Sequence, residues 1–377
     1  MAQEHVETLA VHSGDMPSTH ENEPITPPIV LATNFERHLD GEYKHGWSYT
    51  RAANPNRASW ESTLTALEGG AAAAAFSSGS AATLALFQAL RPGDHVIATA
   101  GFYGTAKILK ELLAPWGLKA TLLDTGDLEA VRTALTPQTK LIFAETPSNP
   151  IMRVSDITAL AEIAHKHGAR MVCDSTAATP VLQRSLDLGA DLALHSATKY
   201  LGGHSDVLGG ALVSRAEDEF FHSIRTWQTA GGATPSPFDC WLLQRGAKTL
   251  ALRVKQQSAN AQAIAEFLAR HKNVQSCLYV GLKSHPGHDV AARQMKGGFG
   301  GLLSFLVKGG QKEALGVTAK CKLIRRATSL GGVETTIDHR ASVEPAGYGT
   351  PESLLRLSVG IEHADDLIAD LDQALSR

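Results

Sequence analysis

Between residues 51 and 230, short apolar runs alternate with amphipathic segments of helical length, and this alternation constrains the fold more than any other feature of the sequence. Strand-length apolar runs occupy residues 95–100, 118–123, 141–144, 171–173 and 192–194. One helical segment lies near 105–114, and others follow the predicted capping residues Asn54, Ser78, Asp127 and Ser155. Strands that alternate with helices in this way predict a mostly parallel sheet with helices on both faces.

The rest of the chain divides into two further regions. Residues 1–50 predict an arm, because three prolines interrupt the apolar pattern and favour extended backbone. Such an arm cannot bury itself and is expected to lie on another surface, including that of a neighbouring subunit. The Gly- and Pro-rich stretch 231–237 ends the alternating region. We therefore predict an arm over 1–50, a main α/β domain over 51–237 and a smaller α/β domain over 238–377.

The smaller domain, over 238–377, is predicted from four segments. A long helical region covers 238–271, and apolar runs at 302–307 and 354–359 predict strands. A closing amphipathic helix is predicted near 364–375.

Composition limits the classes of function. The 35 Lys and Arg residues are balanced by 38 Asp and Glu residues, so no basic stripe is available and nucleic acid is not an expected partner. The 4 cysteines lie far apart, which predicts neither a disulfide framework nor a zinc site and suits a reducing cytosol. The first residues lack the apolar segment of a signal peptide, and no run of about 18 apolar residues occurs. The sequence thus predicts a cytoplasmic protein without a membrane partner.

Polar residues that directly follow the predicted strands are the candidates for chemistry, since ligands of open α/β sheets gather at the carboxyl ends of strands. Ser78-Gly79-Ser80 opens a helix whose unpaired N–H groups can hold a phosphate, although a plain capped helix start explains the same residues. Asp174 ends a strand. Its carboxylate is either a helix cap or loop acid, or the partner of a ring nitrogen that must stay protonated.

Two cationic residues are notable for their surroundings. Lys199 follows the run 192–194 among small hydroxyls and glycines, which favours a desolvated amine that forms a Schiff base over a surface lysine. Gly202 and Gly203 would let a bulky ligand approach the backbone. Arg356 lies on the strand face opposite its leucine neighbours and needs an anionic partner. That partner is either an internal Asp or Glu, or a substrate carboxylate held bidentately.

Taken in their order along the chain, these motifs resemble those of the Cys/Met-metabolism family of pyridoxal-phosphate enzymes, which belongs to the fold-type I group. The resemblance runs from residues 27–28 and 49–51 to 355–360, and its most specific segments are 196–206 and 329–332. It implies an α/β fold of type I: a mostly parallel sheet flanked by helices, an N-terminal arm and a smaller α/β C-terminal domain. The family includes cystathionine γ-synthase, cystathionine γ-lyase, methionine γ-lyase and the homoserine-ester sulfhydrylases.

The resemblance also implies roles for individual residues. Lys199 would form the Schiff base with pyridoxal 5'-phosphate and then move protons, and Asp174 would pair with the pyridinium nitrogen. Tyr49 and Arg51 would reach the phosphate of the neighbouring subunit, which implies a homo-oligomer with shared active sites, usually a tetramer. Cofactor contacts are thereby expected at Tyr49, Arg51, Ser78, Gly79, Ser80, Phe102, Tyr103, Asn149, Asp174, Ser196, Thr198 and Lys199, and substrate contacts at Asn149, Thr328, Ser329 and Arg356.

Three departures from the family pattern bear on the ring contact and the substrate. The family's Tyr-Gly-Gly-Thr is replaced by residues 102–105, so either Phe102 or Tyr103 stacks on the cofactor ring. If Phe102 stacks, Tyr103 or the neighbouring subunit's Tyr49 would supply the phenol that assists departure of the leaving group. Thr328 stands where members that handle cystathionine often carry Glu, and residues 338–344 replace a common Met-Thr-His segment.

The expected reaction is elimination of a γ-substituent from an L-amino acid. Cystathionine, methionine and homocysteine are the usual substrates, and Thr328 allows a leaving group that is not a thiol, such as the oxyguanidine of canavanine. The alternative on the same fold is γ-replacement, in which a synthase joins an activated homoserine ester to a thiol. A nucleotide-binding or scaffolding α/β protein is the alternative from another class, and it predicts a colourless protein.

Overall fold

The computed structural model describes residues 4–14, 24–43, 45–101, 104–344 and 349–376. Its main sheet has seven strands: β1 (Ala72–Phe76), β2 (His95–Thr99), β3 (Lys119–Leu123), β4 (Thr139–Glu145), β5 (Arg170–Asp174), β6 (Leu192–His195) and β7 (Gly210–Ser214). Their order across the sheet is β1-β7-β6-β5-β4-β2-β3. Strands β2 to β6 pair in parallel, and β7 runs antiparallel to both of its neighbours. The predicted, mostly parallel sheet is confirmed.

Helices cover both faces of this sheet, as the alternation of the sequence predicts. They are α1 (Val6–His12), α2 (Pro55–Glu68), α3 (Gly79–Gln88), α4 (Thr105–Lys107) with a π-helical continuation over Ile108–Leu113, α5 (Leu128–Ala134), α6 (Ile157–Lys166), α7 (Thr179–Leu182) and α8 (Glu219–Thr229). Trp60 of α2 is buried on one face with Ala73. Phe87 of α3 packs on the other face, where its ring centre lies 5.5 Å from that of Phe143.

A second sheet of five strands follows two long helices, α9 (Pro237–Ala247) and α10 (Leu250–Arg270). The other elements are β8 (Val274–Leu278), α11 (His288–Gln294), β9 (Leu302–Val307), α12 (Gln311–Lys320), β10 (Arg325–Arg326), β11 (Thr336–His339), a 3₁₀ turn (Arg340–Ser342), β12 (Leu354–Ser358) and α13 (Ala364–Leu375). The strand order is β10-β11-β12-β9-β8. Leu355 and Leu357 of β12 enter an apolar core with α10, so the predicted alternation that sets Arg356 on the opposite face is confirmed.

Several predicted boundaries are wrong for identifiable reasons. Ser155 is not the cap of α6; the Asp156 side chain accepts the hydrogen bond from the Ala159 N–H at 3.0 Å. The helical region predicted over 238–271 is broken at residues 248–249. Strands β1 and β7 were not predicted from the sequence, because the alanine run of β1 lacks β-branched residues and β7 follows a glycine-rich loop.

The N-terminal arm lies partly on its own chain. Helix α1, which the sequence did not predict, packs between α2 and α10 and buries Ala10. Further along, the Asn56 amide donates to Pro28 O at 2.9 Å and accepts from Val30 N at 2.8 Å. Ile25 and Leu39 are nonetheless 98% and 102% exposed, so the arm carries apolar side chains that the rest of its own chain does not cover. None of the helices described is long and apolar enough to span a lipid bilayer.

Candidate active site

A cavity of about 470 Å³ opens where the carboxyl ends of the parallel strands meet the second sheet. Residues from both sheets line it, including most of those that the sequence singled out: Ser78, Gly79, Ser80, Asn149, Asp174, Ser196, Thr198, Lys199, Thr328, Ser329 and Arg356. The topology explains their convergence, because the loops that follow parallel strands emerge at one edge of the sheet.

One end of the cavity is formed by the start of α3. The Ser78 side chain caps this helix by accepting from Ala81 N at 3.1 Å, and helix geometry leaves the N–H groups of Gly79 and Ser80 without intrahelical acceptors. A Cβ on Gly79 would lie 2.9 Å from Ser196 Oγ, so glycine is required for this close approach. Free N–H groups, the helix dipole and the neighbouring hydroxyl together form an anion site that suits a phosphate.

Thr198 lies at this end too, but its hydroxyl already has two partners. It donates to Gly209 O at 3.2 Å and accepts from Gly209 N at 3.0 Å. To hold a phosphate, as the resemblance implies, Thr198 would have to turn its O–H away from Gly209.

Two carboxyl groups lie side by side deeper in the cavity. Asp174 ends β5, Glu145 ends β4, and the two are register partners in the sheet. Both are buried, and burial is the main cause that raises the pKa of each. Asp174 accepts a hydrogen bond from Thr176 N at 2.9 Å, which counteracts part of that rise. Glu145 was not among the predicted site residues, although its position at a strand end was a signal for it.

The Lys199 amine projects from the loop after β6 and donates a hydrogen bond to Ser329 Oγ at 2.7 Å. Burial, and the nearby guanidinium groups of Arg356 and Arg340, lower the pKa of Lys199 to about 8. Ser329 has a left-handed backbone (φ 76°), which is unusual for a residue other than glycine. A strained residue that contacts the reactive amine is typical of a functional site.

The role predicted for Gly202 and Gly203 is wrong. A Cβ on Gly203 would lie 2.0 Å from Arg253 Nη1, and one on Gly202 would lie 2.9 Å from Val207. These glycines therefore make room for the protein's own side chains and not for a ligand.

Arg356 is buried and has both kinds of partner that the sequence left open. Its Nη2 contacts Asp338 Oδ2 at 3.3 Å and donates to Ser329 O at 2.6 Å, while Nη1 donates to Asn149 Oδ1 at 3.2 Å. Its Nε is buried and has no hydrogen-bond partner among the described residues. The guanidinium is thus anchored internally and keeps one donor for an anion.

Arg340 also lines the cavity, although sequence reasoning did not assign it to the site. It contacts Asp338 Oδ2 and Glu344 Oε1, each at 3.0 Å. The departure from the family pattern at 338–344 was the available signal. Arg340 contributes a second guanidinium, which is paired with two carboxylates.

Some predicted site residues lie elsewhere or outside the described chain. Tyr49 and Arg51 are exposed and do not line the cavity of their own chain; Arg51 instead donates to Thr229 O at 2.7 Å. The prediction that they serve a neighbouring subunit is compatible with this position. Phe102 and Tyr103 lie outside the described residues.

The lining fits pyridoxal phosphate. Three buried polar atoms of the cavity residues have no hydrogen-bond partner in the described chain: Thr105 Oγ1, Glu145 Oε2 and Arg356 Nε. Unpaired buried polar groups are costly, and a polar ligand in the cavity would supply partners for these three atoms. An anion site, a desolvated amine and a buried carboxylate match the phosphate, aldehyde and ring nitrogen of this cofactor.

Comparisons with known proteins agree with this geometry. The sequence model of the Cys/Met metabolism PLP-dependent enzymes matches residues 7–376. Cystathionine γ-synthase of Mycobacterium tuberculosis is 46% identical over 375 residues, which cover 98% of this chain and 96% of the relative. Cystathionine γ-lyase of Bacillus subtilis is 41% identical, with 98% of each chain covered.

The structural comparison gives the same result. The crystal structure of metB from Corynebacterium glutamicum superposes with a TM-score of 0.95 at 42% identity, and the match covers 99% of this chain and 98% of that one. This likeness confirms the fold that the resemblance implied. The cavity that fits pyridoxal phosphate, the fold and the sequence agree, and the chain belongs to the Cys/Met metabolism family of PLP-dependent enzymes.

Proposed function

We propose that this enzyme eliminates the γ-substituent of an L-amino acid and releases 2-oxobutanoate and ammonia. The observation that carries this proposal is the pairing, in one cavity, of the Lys199 amine with the unpartnered Nε of Arg356. A buried guanidinium with a free donor suits an α-carboxylate. An amine with a lowered pKa suits the removal of a proton from the neighbouring carbon.

We assign a separate role in this reaction to each of Lys199, Ser329 and Asp174. Pyridoxal phosphate, when bound, supplies an electron-withdrawing ring that stabilises negative charge at Cα. Lys199 holds the cofactor covalently and, once released, removes the proton from Cα. Because its pKa is about 8, a useful fraction of the amine is unprotonated at neutral pH. Ser329 orients this amine through its hydroxyl, and Asp174 holds the proton of the ring nitrogen in place. Once the amine has passed this proton on, it can remove a proton from Cβ, and the γ-group then leaves with the electron pair of its bond to Cγ. Hydrolysis of the remaining four-carbon enamine consumes one water and gives 2-oxobutanoate and ammonia.

The charges of the cavity favour elimination from an amino acid with one carboxylate over a reaction that joins two amino acids. In the described part of the lining, the cationic side chains are those of Lys199, Arg340 and Arg356. Arg340 is paired with two carboxylates, so Arg356 Nε is the donor available to a carboxylate. A second amino acid, such as the cysteine that a cystathionine synthase consumes, would need a cation for its own carboxylate. The lining therefore suits one amino acid with a single carboxylate better than two amino acids, or than cystathionine, which carries two carboxylates.

γ-Replacement is the second candidate, because the relatives at 46% identity are named cystathionine γ-synthases. Assay of cystathionine, methionine, homocysteine, O-acyl homoserines and canavanine, with and without cysteine, separates the two reactions. We expect 2-oxobutanoate without cysteine, at a rate that added cysteine does not lower. Cystathionine formed from an O-acyl homoserine in place of the keto acid would instead assign the enzyme as a synthase. With canavanine, product identification also separates elimination from displacement by water, which gives homoserine.

We also propose that the enzyme is a homo-oligomer, with a tetramer as the usual form of the family, in which Tyr49 and Arg51 serve the active site of a neighbouring subunit. Exposed Ile25, Leu31 and Leu39 support this proposal, because an arm with apolar side chains in water favours burial against a second chain.

Mixed oligomers test the shared site. The Arg51→Ala and Lys199→Ala variants are each expected to be inactive or nearly so. When they are unfolded, mixed and refolded together, some sites combine an intact Lys199 with an intact Arg51 from the neighbour. About a quarter of the wild-type activity is expected if the subunits associate at random. Activity no higher than that of the two parents would contradict the shared geometry, and Arg326→Ala mixed with Lys199→Ala serves as the matched control.

A cytoplasmic location is supported by the cysteines. Cys173, Cys240, Cys277 and Cys321 all carry free thiols in the structure. Free thiols are typical of proteins from a reducing compartment, and we propose the cytoplasm on that basis.

A further inference from the structure

Glu145 and Asp174 occupy equivalent positions on adjacent parallel strands. They are register partners at the ends of β4 and β5, so their side chains leave the sheet on the same face. Adjacent strands lie only about 4.8 Å apart, and both residues line the same cavity. Two carboxylates held this close and away from water do not both ionise readily, because each charge opposes the other.

Glu145 differs from other buried acids of this protein in its partners. Glu61 has the same exposed fraction, 8%, but contacts Arg225 at 3.0 Å and Gln228 at 2.7 Å. Glu145 forms no ion pair with a described residue, and its Oε2 has no hydrogen-bond partner there. A buried carboxyl without a cation favours its protonated form.

The charged groups around Glu145 and Asp174 affect the protonation of the two carboxyl groups differently. Lys199, Arg340 and Arg356 line the cavity, but burial and Asp174 dominate the environment of Glu145 and raise its pKa well above the usual range. The backbone N–H of Asn149 offsets part of this rise in the pKa of Glu145. Asp174, by contrast, accepts from Thr176 N, and the charge of His195 favours its ionised form. His195 is itself hydrogen-bonded to Glu68 on the far side of the strand.

We propose that Glu145 is a positioning residue: as a neutral carboxylic acid, it donates a hydrogen bond to the Asp174 carboxylate, so that the pair presents a single negative charge to the ring nitrogen of the cofactor. The Oε2–H group then has a partner, and the Asp174 carboxylate gains a second donor besides Thr176 N. One negative charge faces one protonated ring nitrogen, without the repulsion of two buried carboxylates. This inference deepens the proposed function and depends on its assignment of Asp174.

Infrared spectroscopy of the full-length enzyme with bound cofactor tests the protonation. A buried carboxylic acid absorbs at a carbonyl frequency that is separated from carboxylate and amide bands. We expect the wild-type spectrum minus that of Glu145→Gln to contain this acid band at neutral pH. The Glu61→Gln variant is the matched control, because Glu61 is equally buried but paired with Arg225 and should not contribute one. A Glu145→Gln difference spectrum with a carboxylate band instead would overturn the proposal.

The affinity of the enzyme for pyridoxal phosphate tests whether Glu145 acts through Asp174. Glu145→Leu removes the donor, so we expect about tenfold weaker binding of pyridoxal phosphate to the resolved enzyme. The acid limb of the affinity-versus-pH curve should also move to higher pH, because Asp174 is then protonated more easily. Glu145→Gln keeps an N–H donor and should bind within about threefold of wild type. Wild-type affinity and pH profile in Glu145→Leu would refute the inference. Failure of the proposed elimination reaction would appear separately, as absence of 2-oxobutanoate while the acid band remains.

Discussion

Replacement of Lys199 with alanine is expected to remove the yellow colour of the enzyme and to lower the rate of γ-elimination by at least about 1000-fold. We propose two roles for the side chain, since it would hold the cofactor covalently and move the substrate protons. Its amine is desolvated and oriented by Ser329, and alanine can supply neither function. The visible absorption spectrum of the purified variant and its kcat measure the two effects.

The fold should tolerate this change, because the Lys199 amine faces the cavity. Lys140→Ala is the matched control: this lysine lies on β4 of the same sheet, is exposed and is far from the carboxyl edge of the strands. It should retain colour and activity. A Lys199→Ala variant with the wild-type spectrum and turnover would exclude the assignment of this residue.

Replacement of Arg356 with leucine is expected to lower kcat/KM by about 100- to 1000-fold. Two effects combine, because the α-carboxylate would lose its proposed cation and Asp338 would keep Arg340 as its one charged contact among the described residues. Cofactor binding should change much less, since the proposed partner of Arg356 Nε is the substrate carboxylate and not the cofactor. Steady-state kinetics and the absorption spectrum separate the two outcomes.

Controls for this prediction come from the same sheet. Arg356→Lys keeps the charge but loses the planar set of donors, and we expect it to recover only part of the activity. Arg326 lies on the exposed edge strand β10, and Arg326→Leu should behave as wild type. If Arg356→Leu retained the wild-type kcat/KM while remaining folded, another residue would have to bind the carboxylate.

The sequence predicted those parts of the fold that have a strong periodic signal. The limits of β9 and of α13 were predicted as found, because an apolar run marks the strand and an amphipathic pattern marks the helix. Strand β1 was missed, since a run of alanines has no preference for a strand and pairs there only because β7 lies alongside. Local patterns do not report pairing partners from distant parts of the chain.

Most of the predicted site residues line one cavity, but the electrostatics of that cavity were not predicted. Strand ends and the family resemblance led to Asp174, Lys199 and Arg356, which the fold brings to one cavity. Glu145 and Arg340 were not assigned despite their sequence signals, because the pairing of Glu145 with Asp174 and the position of Arg340 at the cavity depend on the tertiary fold. The packing of Arg253 against Gly203 was likewise invisible in the sequence.

The central claim is that the amine of Lys199 holds pyridoxal phosphate covalently in this cavity. Borohydride reduction of the purified enzyme, followed by proteolysis and mass spectrometry of the peptides, tests it most directly. We predict one pyridoxyl phosphate group per chain, attached to Lys199. Modification of a different lysine, or an enzyme that carries no reducible group after incubation with the cofactor, would contradict the account.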